Sequence, residues 1–310
     1  MSYKISDFSH IANTKYGLGF HWTTWNVDKD GNNLPFEEAV NNFDVEAFAN
    51  QAQELGAGHV LLTSCHQLQH LPCPHPVIDE IMPNRTCKRD LIMEIADALL
   101  ARDIKFMLYY HHGTDGELQD PEWWKATNAE DYDTFYNNYF RILTYLGEKY
   151  KDKISAYWFD AGYGLTRRGD VPWEKMTEVA KAGYPNRPIC YNSGILNFEK
   201  YTDFQDYWAG EMSVFDFLPE GDMTPSDLYW YAFIACHIHP EWEGCGEWGI
   251  HSENYKTVYE EPDHVAMAEC VKAYNAHGGA VTFNMLCYQD GSIYAPDYNA
   301  MMKVKKLIRG

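Results

Sequence analysis

Short runs of unbroken apolar residues recur along the chain, each followed by a stretch with helical spacing. That recurrence limits the fold more than any single motif. Residues 16–22 (Y-G-L-G-F-H-W), 59–65 (H-V-L-L-T-S-C), 105–111 (K-F-M-L-Y-Y-H) and 154–160 (I-S-A-Y-W-F-D) read as strands. They are continuous rather than alternating, as expected of parallel strands covered on both faces. Residues 187–192, 203–211, a weaker 245–251 and 280–287 continue the series. Helical spacing marks 45–55, where Val45, Phe48, Ala52 and Leu55 share one face and Gly56 is a stop. It also marks 90–102, 129–150, 173–183, 227–236, 263–277 and 297–308. About eight alternations predict an α/β fold, a TIM-type (β/α)8 barrel, as a single domain over residues 1–310 with strands 5–7 the least regular. No G-x-G-x-x-G follows a strand, so a nucleotide-binding open sheet has no support.

The net charge of −20 argues against nucleic acid and anionic membrane surfaces as partners, because binding phosphate needs local positive charge. No apolar run reaches the length of a membrane span. Residues 1–10 are polar and lack an apolar signal core, which predicts a cytoplasmic protein unless a leader has been removed. The eight Cys are scattered without a C-x-x-C pair and read as buried free thiols. No cofactor is expected, and nothing specifies an oligomeric state.

In a parallel barrel, catalytic groups sit at the C-terminal strand tips. Asp160 ends an apolar strand there, before a turn at Ala161-Gly162. The bland reading is a helix cap or a turn hydrogen bond. Around it the other tips collect His21-Trp22, Ser64-Cys65-His66, Tyr110-His111-His112, Trp158, Tyr191-Asn192, Trp208, Glu211 and Asn284. Polar groups and aromatics converging on two carboxylates suit a carbohydrate site, and glycoside hydrolysis needs two carboxyl groups in different roles. Asp160 is the first candidate. Glu211, ending D-Y-W-A-G-E, is the second, and Glu243 in P-E-W-E-G-C is a third, beside Trp242. Glu247 follows in the next turn. Against each Glu stands the ordinary reading of a solvated loop acid.

Two other chemistries compete with this reading. His21, His66 and His111 could serve a metal-dependent barrel hydrolase, as His112, His237 and His239 could add ligands. The first strand, however, reads F-H-W rather than H-x-H. A Ser or Cys nucleophile lacks a G-x-S-x-G elbow, and Cys65 and His66 are neighbours on a strand, pointing to opposite faces.

Several segments together resemble the catalytic domain of glycoside hydrolase family 29, the α-L-fucosidases. The H-W of the first strand, the stretch N-N-F-D-V-E-A-F-A-N-Q-A-Q-E-L-G-A-G-H-V-L-L-T-S-C-H, F-M-L-Y-Y, Y-W-F-D-A-G, W-E-G-C and G-G-A-V-T-F-N-M-L-C-Y-Q-D-G-S-I are similar to its segments in order. The resemblance implies a retaining exo-glycosidase for an α-L-fucoside or a related sugar. It puts the nucleophile on Asp160 and leaves the acid/base at Glu211 or, in reserve, Glu243. It implies His21, His66, Tyr110 and His111 on ring hydroxyls, and Trp22, Trp158, Trp208 or Trp242 against the sugar's apolar face. The family's K-H-H-D-G is here Cys65-His66-Gln67-Leu68-Gln69, and the resemblance leads us to expect the catalytic barrel without the family's trailing β-sandwich. A sugar-binding barrel without catalysis is the third reading.

Overall fold

The computed structural model describes residues 3–113, 132–166, 170–242 and 244–310. Eight parallel strands make one curled sheet. They are β1 (Tyr16–Phe20), β2 (His59–Cys65), β3 (Lys105–His111), β4 (Ala156–Asp160), β5 (Ile189–Tyr191), β6 (Glu211–Met212) and β7 (Tyr231–Ala235). A small antiparallel hairpin of β8 (His237–Ile238) and β9 (Gly246–Glu247) then precedes the eighth barrel strand, β10 (Ala280–Asn284). The lateral order β5-β4-β3-β2-β1-β10-β7-β6 is that of a (β/α)8 barrel.

No ladder joins β5 to β6. The backbone leading into β6 closes that seam. Asp206 N donates to Ile189 O at 2.8 Å and Ile189 N donates to the Asp206 carboxylate at 2.9 Å, while on the β7 side Tyr207 bridges to Tyr229. The 203–211 stretch is therefore strand-like only at its end, which accounts for its mixed polar pattern.

Side chains divide between two cores. Outward-facing residues such as Leu18, Leu62, Leu108, Tyr157 and Val281 pack under the helices. Leu61, Met107, Ala156, Trp158, Phe233 and Ala280 fill the barrel interior. Phe8 and Ile11, flanking and within the helix Ser9–Ala12, join that interior cluster, with Phe8 stacked on Tyr207 at 4.5 Å. His59 is part of the interior as well, bonded to Thr14 and Thr282, and burial pushes its pKa down to about 3. It is a neutral structural histidine.

The helices Val45–Glu54, Leu91–Leu100, Tyr132–Tyr150, Trp173–Ala180, His264–Ala276 and Ala295–Arg309 follow the predicted spacing. Residues 129–131 of the predicted long helix lie outside the described residues. Asp44, Asp90 and Asp263 cap three of these helices with their carboxylates. The segment 227–236 is a correction: it was expected to be helical and instead carries β7. A five-residue apolar run buried on both faces has no periodicity to separate strand from helix. The expected seventh strand at 245–251 supplies only the two residues of β9.

All eight cysteines are free, six of them buried. Among the described residues no helix is long and apolar enough to cross a membrane.

Candidate active site

Side chains alternate along a strand, so one face of each barrel strand points inward. On β4 the inward set is Ala156, Trp158 and Asp160; on β3 it is Met107, Tyr109 and His111, with His111 in register with Asp160. On the run into β6 it is Tyr207, Ala209 and Glu211. Asp160, Glu211, His21, His66 and His111 thus gather at the C-terminal mouth of the barrel.

His66 reaches the mouth because of an irregularity. The β2–β3 pairing slips between Thr63 and Cys65. The bulge leaves Cys65 in the outer core and turns His66 inward, with its ring parallel to Tyr109 at 5.8 Å and 4.9 Å from His111. His21 lies 5.4 Å from His66 and 4.9 Å from Tyr109. Burial pushes His21 down to about 4 and His66 well below the usual histidine value. At neutral pH both are uncharged, each able to donate or accept a hydrogen bond.

Asp160 is held from three sides. Its Oδ2 accepts from the Tyr109 phenol, and its Oδ1 accepts from the Ala161 amide at 2.7 Å and from Asn192 Nδ2 at 2.8 Å. Ala161 takes a positive φ of 58° to aim its amide there, so the tight turn falls on Ala161 and not on Gly162. Among the described residues no Lys or Arg pairs with Asp160. Asn192 Nδ2 donates its second hydrogen to Glu211 Oε2 at 2.6 Å. The two carboxylates therefore share one amide.

Their protonation is pushed apart. Burial drives the Glu211 carboxyl up and the charge of Asp160 adds to it, to about 7, with the Asn192 bond opposing. Burial acts upward on Asp160 too, but His111 and the bonds from Tyr109, Asn192 and Ala161 outweigh it and hold Asp160 below the ordinary carboxylate value. One acid stays ionised while the other keeps its proton near neutrality, the division of labour acid–base catalysis needs.

A cleft of about 540 Å³ opens beside His21 and His66, with Trp25, Trp242, Trp248 and Glu247 among its walls. Trp242 is 63% exposed and stacks on His239 at 4.1 Å. Glu247 is buried and accepts a bond from Tyr259 at 2.8 Å. Glu243 lies outside the described residues. Among the described residues no group of three or more His, Cys, Asp or Glu is placed to hold a metal ion.

Three residues expected to touch sugar sit elsewhere. Trp22 packs on Phe43 in the outer core and donates to Gln289 O at 3.0 Å. Tyr110 lies among Tyr139 and Phe159, and Trp208 stacks on Phe198 at 4.5 Å and donates to Asn197 O at 2.7 Å. The reason is parity: each is one residue away from an inward-facing neighbour, His21, Tyr109 or Ala209. Trp158 does face inward, but 2% exposed, stacked on Tyr109 at 5.0 Å and bonded to Ala209 O it forms the floor below Asp160. Tyr109 was missed, although the alternation that brings His111 inward also brings in the residue two before it. The sequence puts Asn192 at a strand tip but carries no signal for its bridging role, nor for Trp25 and Trp248 as cleft walls.

The chain matches the family model described as Alpha-L-fucosidase over residues 2–304. No curated protein sequence matches it. Among solved structures it is similar to an alpha-L-fucosidase of glycoside hydrolase family 29 from Bacteroides thetaiotaomicron, at 16% identity and a TM-score of 0.68 over 99% of this chain and 75% of that one. It is similar to the alpha-L-fucosidase AlfC from Lactobacillus casei in complex with alpha-L-fucose product, at 15% identity and 0.66, over 98% and 99% of the two chains. It is also similar to the endo-fucoidan hydrolase P5AFcnA of glycoside hydrolase family 107, at 12% identity and 0.72, over 98% and 93%. At these identities the structural likeness is one of fold.

Proposed function

This chain belongs to the alpha-L-fucosidase family and is a glycosidase, and from that premise we propose that it is a retaining exo-glycosidase for an α-L-fucoside or a close relative. Asp160 attacks the anomeric carbon and displaces the aglycone oxygen, forming a glycosyl-enzyme. Glu211 gives its proton to the departing oxygen. It then takes a proton from the water that cleaves the glycosyl-enzyme, returning Asp160 as a carboxylate.

The observation that carries this reading is the shared amide. Asp160 Oδ1 and Glu211 Oε2 are both bonded to Asn192 Nδ2, at 2.8 and 2.6 Å. They can stand no farther apart than those two lengths laid end to end. For that pair of oxygens, this supports the roughly 5–5.5 Å spacing of a retaining pair over the roughly 6.5–9.5 Å of an inverting one. Neutral His21 and His66, with His111, supply hydrogen bonds for ring hydroxyls. Trp25, Trp242 and Trp248 offer flat apolar surface in the cleft.

A 2-fluoro-fucosyl fluoride tests the proposal. Slow hydrolysis of its intermediate should leave one fluorofucosyl group on the peptide bearing Asp160, seen by mass spectrometry. With an aryl α-L-fucoside, proton NMR should show the α anomer of fucose first. Initial release of the β anomer, or labelling of another carboxylate, overturns it. A panel including α-L-rhamnoside, β-L-arabinoside and α-L-galactoside decides the sugar.

A further inference from the structure

Asn192 is buried, and its orientation is settled by its neighbours. Its Oδ1 accepts from the Gly194 amide at 3.0 Å, a backbone group that can only donate. The Nδ2 end must therefore face the carboxylates, one hydrogen toward Asp160 Oδ1 and one toward Glu211 Oε2. An oxygen that already accepts from this amide is the poorer seat for a proton. Glu211 Oε1 makes no hydrogen bond among the described residues, and Glu211 is only partly buried.

We propose that Asn192 is a positioning residue that decides which oxygen of Glu211 carries the acid proton, reserving Oε2 for its own amide and leaving the proton on Oε1 at the mouth of the barrel. This rests on the assignment of Glu211 as acid. The two carboxylates depend on Asn192 unequally. Asp160 keeps the Tyr109 and Ala161 bonds when Asn192 is removed, whereas the Asn192 bond is the side-chain hydrogen bond of Glu211 among the described residues. The acid is the partner that loses its orientation.

Two fucosides separate this role from general support. A phenyl leaving group needs the proton and a 2,4-dinitrophenyl leaving group does not. In Asn192→Ala, kcat/KM on the phenyl fucoside should fall on the order of 100-fold, and on the dinitrophenyl fucoside by less than about tenfold, since general-acid assistance is worth roughly 10²–10⁴. Asn192→Val keeps a similar volume, removes the donor without adding charge and should show the same selectivity. Equal losses on both substrates overturn the proposal.

A second measurement does not need turnover. The Glu211 side-chain carboxyl, followed by carbon-13 NMR, should titrate at higher pH in Asn192→Ala than in the parent. The titratable groups facing it are Asp160 and Tyr109, with His111 across Asp160, and all three are retained. An unmoved Glu211 titration overturns the proposal. A parent inert on both fucosides whose Glu211 titration still moves supports the positioning role and removes the fucosidase reading instead.

Discussion

Tyr109 and Asp160 join neighbouring strands side chain to side chain, the phenol on β3 donating to Oδ2 of the carboxylate at the end of β4. The same phenol ring stacks on Trp158, two residues before Asp160 and on the same face. The barrel floor and the charged tip are thus one packed unit. A carboxylate this desolvated stays ionised because His111 and such donors together outweigh burial.

Tyr109→Phe should keep the stacking and lose the donor. The bond lowers the Asp160 pKa, so its removal raises that pKa and moves the acid limb of the kcat/KM profile to higher pH. A bond to a charged group is worth about 1.5–3 kcal/mol, so the acid limb is expected to move up by roughly 1–2 pH units. A pH–rate profile of the variant checks it; an unshifted acid limb counts against Asp160 as the ionised partner.

Glu211→Gln should change how stability depends on pH. The folded pKa of Glu211, about 7, lies above its ordinary value of 4.5. A raised folded pKa favours the folded state fully below the unfolded value, and that favour is lost as pH rises through the folded value. The parent should therefore weaken between pH 4.5 and 7 relative to the variant. From pH 4 to pH 8 the parent should lose on the order of 1 kcal/mol relative to the variant, allowing for the partial exposure of Glu211. Melting curves from pH 4 to 8 measure this. In the parent, the alkaline limb of activity should fall near pH 7.

The two kinds of tryptophan should separate cleanly. Trp208→Ala removes a side chain packed on Phe198, Phe217 and Trp230 and should cost about 3–5 kcal/mol in denaturant unfolding. Trp25→Ala, at the cleft and 5.2 Å from His66, should raise KM several-fold with less than about 1 kcal/mol lost. An unchanged KM for Trp25→Ala would remove it from the substrate surface.

Gly210 holds a φ of 65° directly before Glu211, and an added Cβ would stand 2.0 Å from Tyr231 O. That oxygen is backbone and cannot move aside. Gly210→Ala should cost more than about 2 kcal/mol and displace Glu211. Unfolding curves alongside kcat on a phenyl fucoside test both effects.

Hydrophobic runs and helix stops were legible because they act locally: a continuous apolar strand buries both faces wherever it sits, and an Asp before a helix caps it in any fold. They determined the barrel, its strands through β5, and Asp160 at a tip. The segment 227–236 was not legible, because its burial on both sides erases the periodicity that would name it a strand. His66 facing the bowl depends on a bulge in β2 that no residue announces. Trp22, Tyr110 and Trp208 were misplaced by one step of alternation, and a single step exchanges the bowl for the outer core. The bridging of Asp160 to Glu211 through Asn192 was decided only by closure of the ring, which brings the ends of β4, β5 and β6 together across 51 residues of chain. Position along a strand is a local property, but which two carboxylates share one amide is a distance in space, and only the closed sheet sets it.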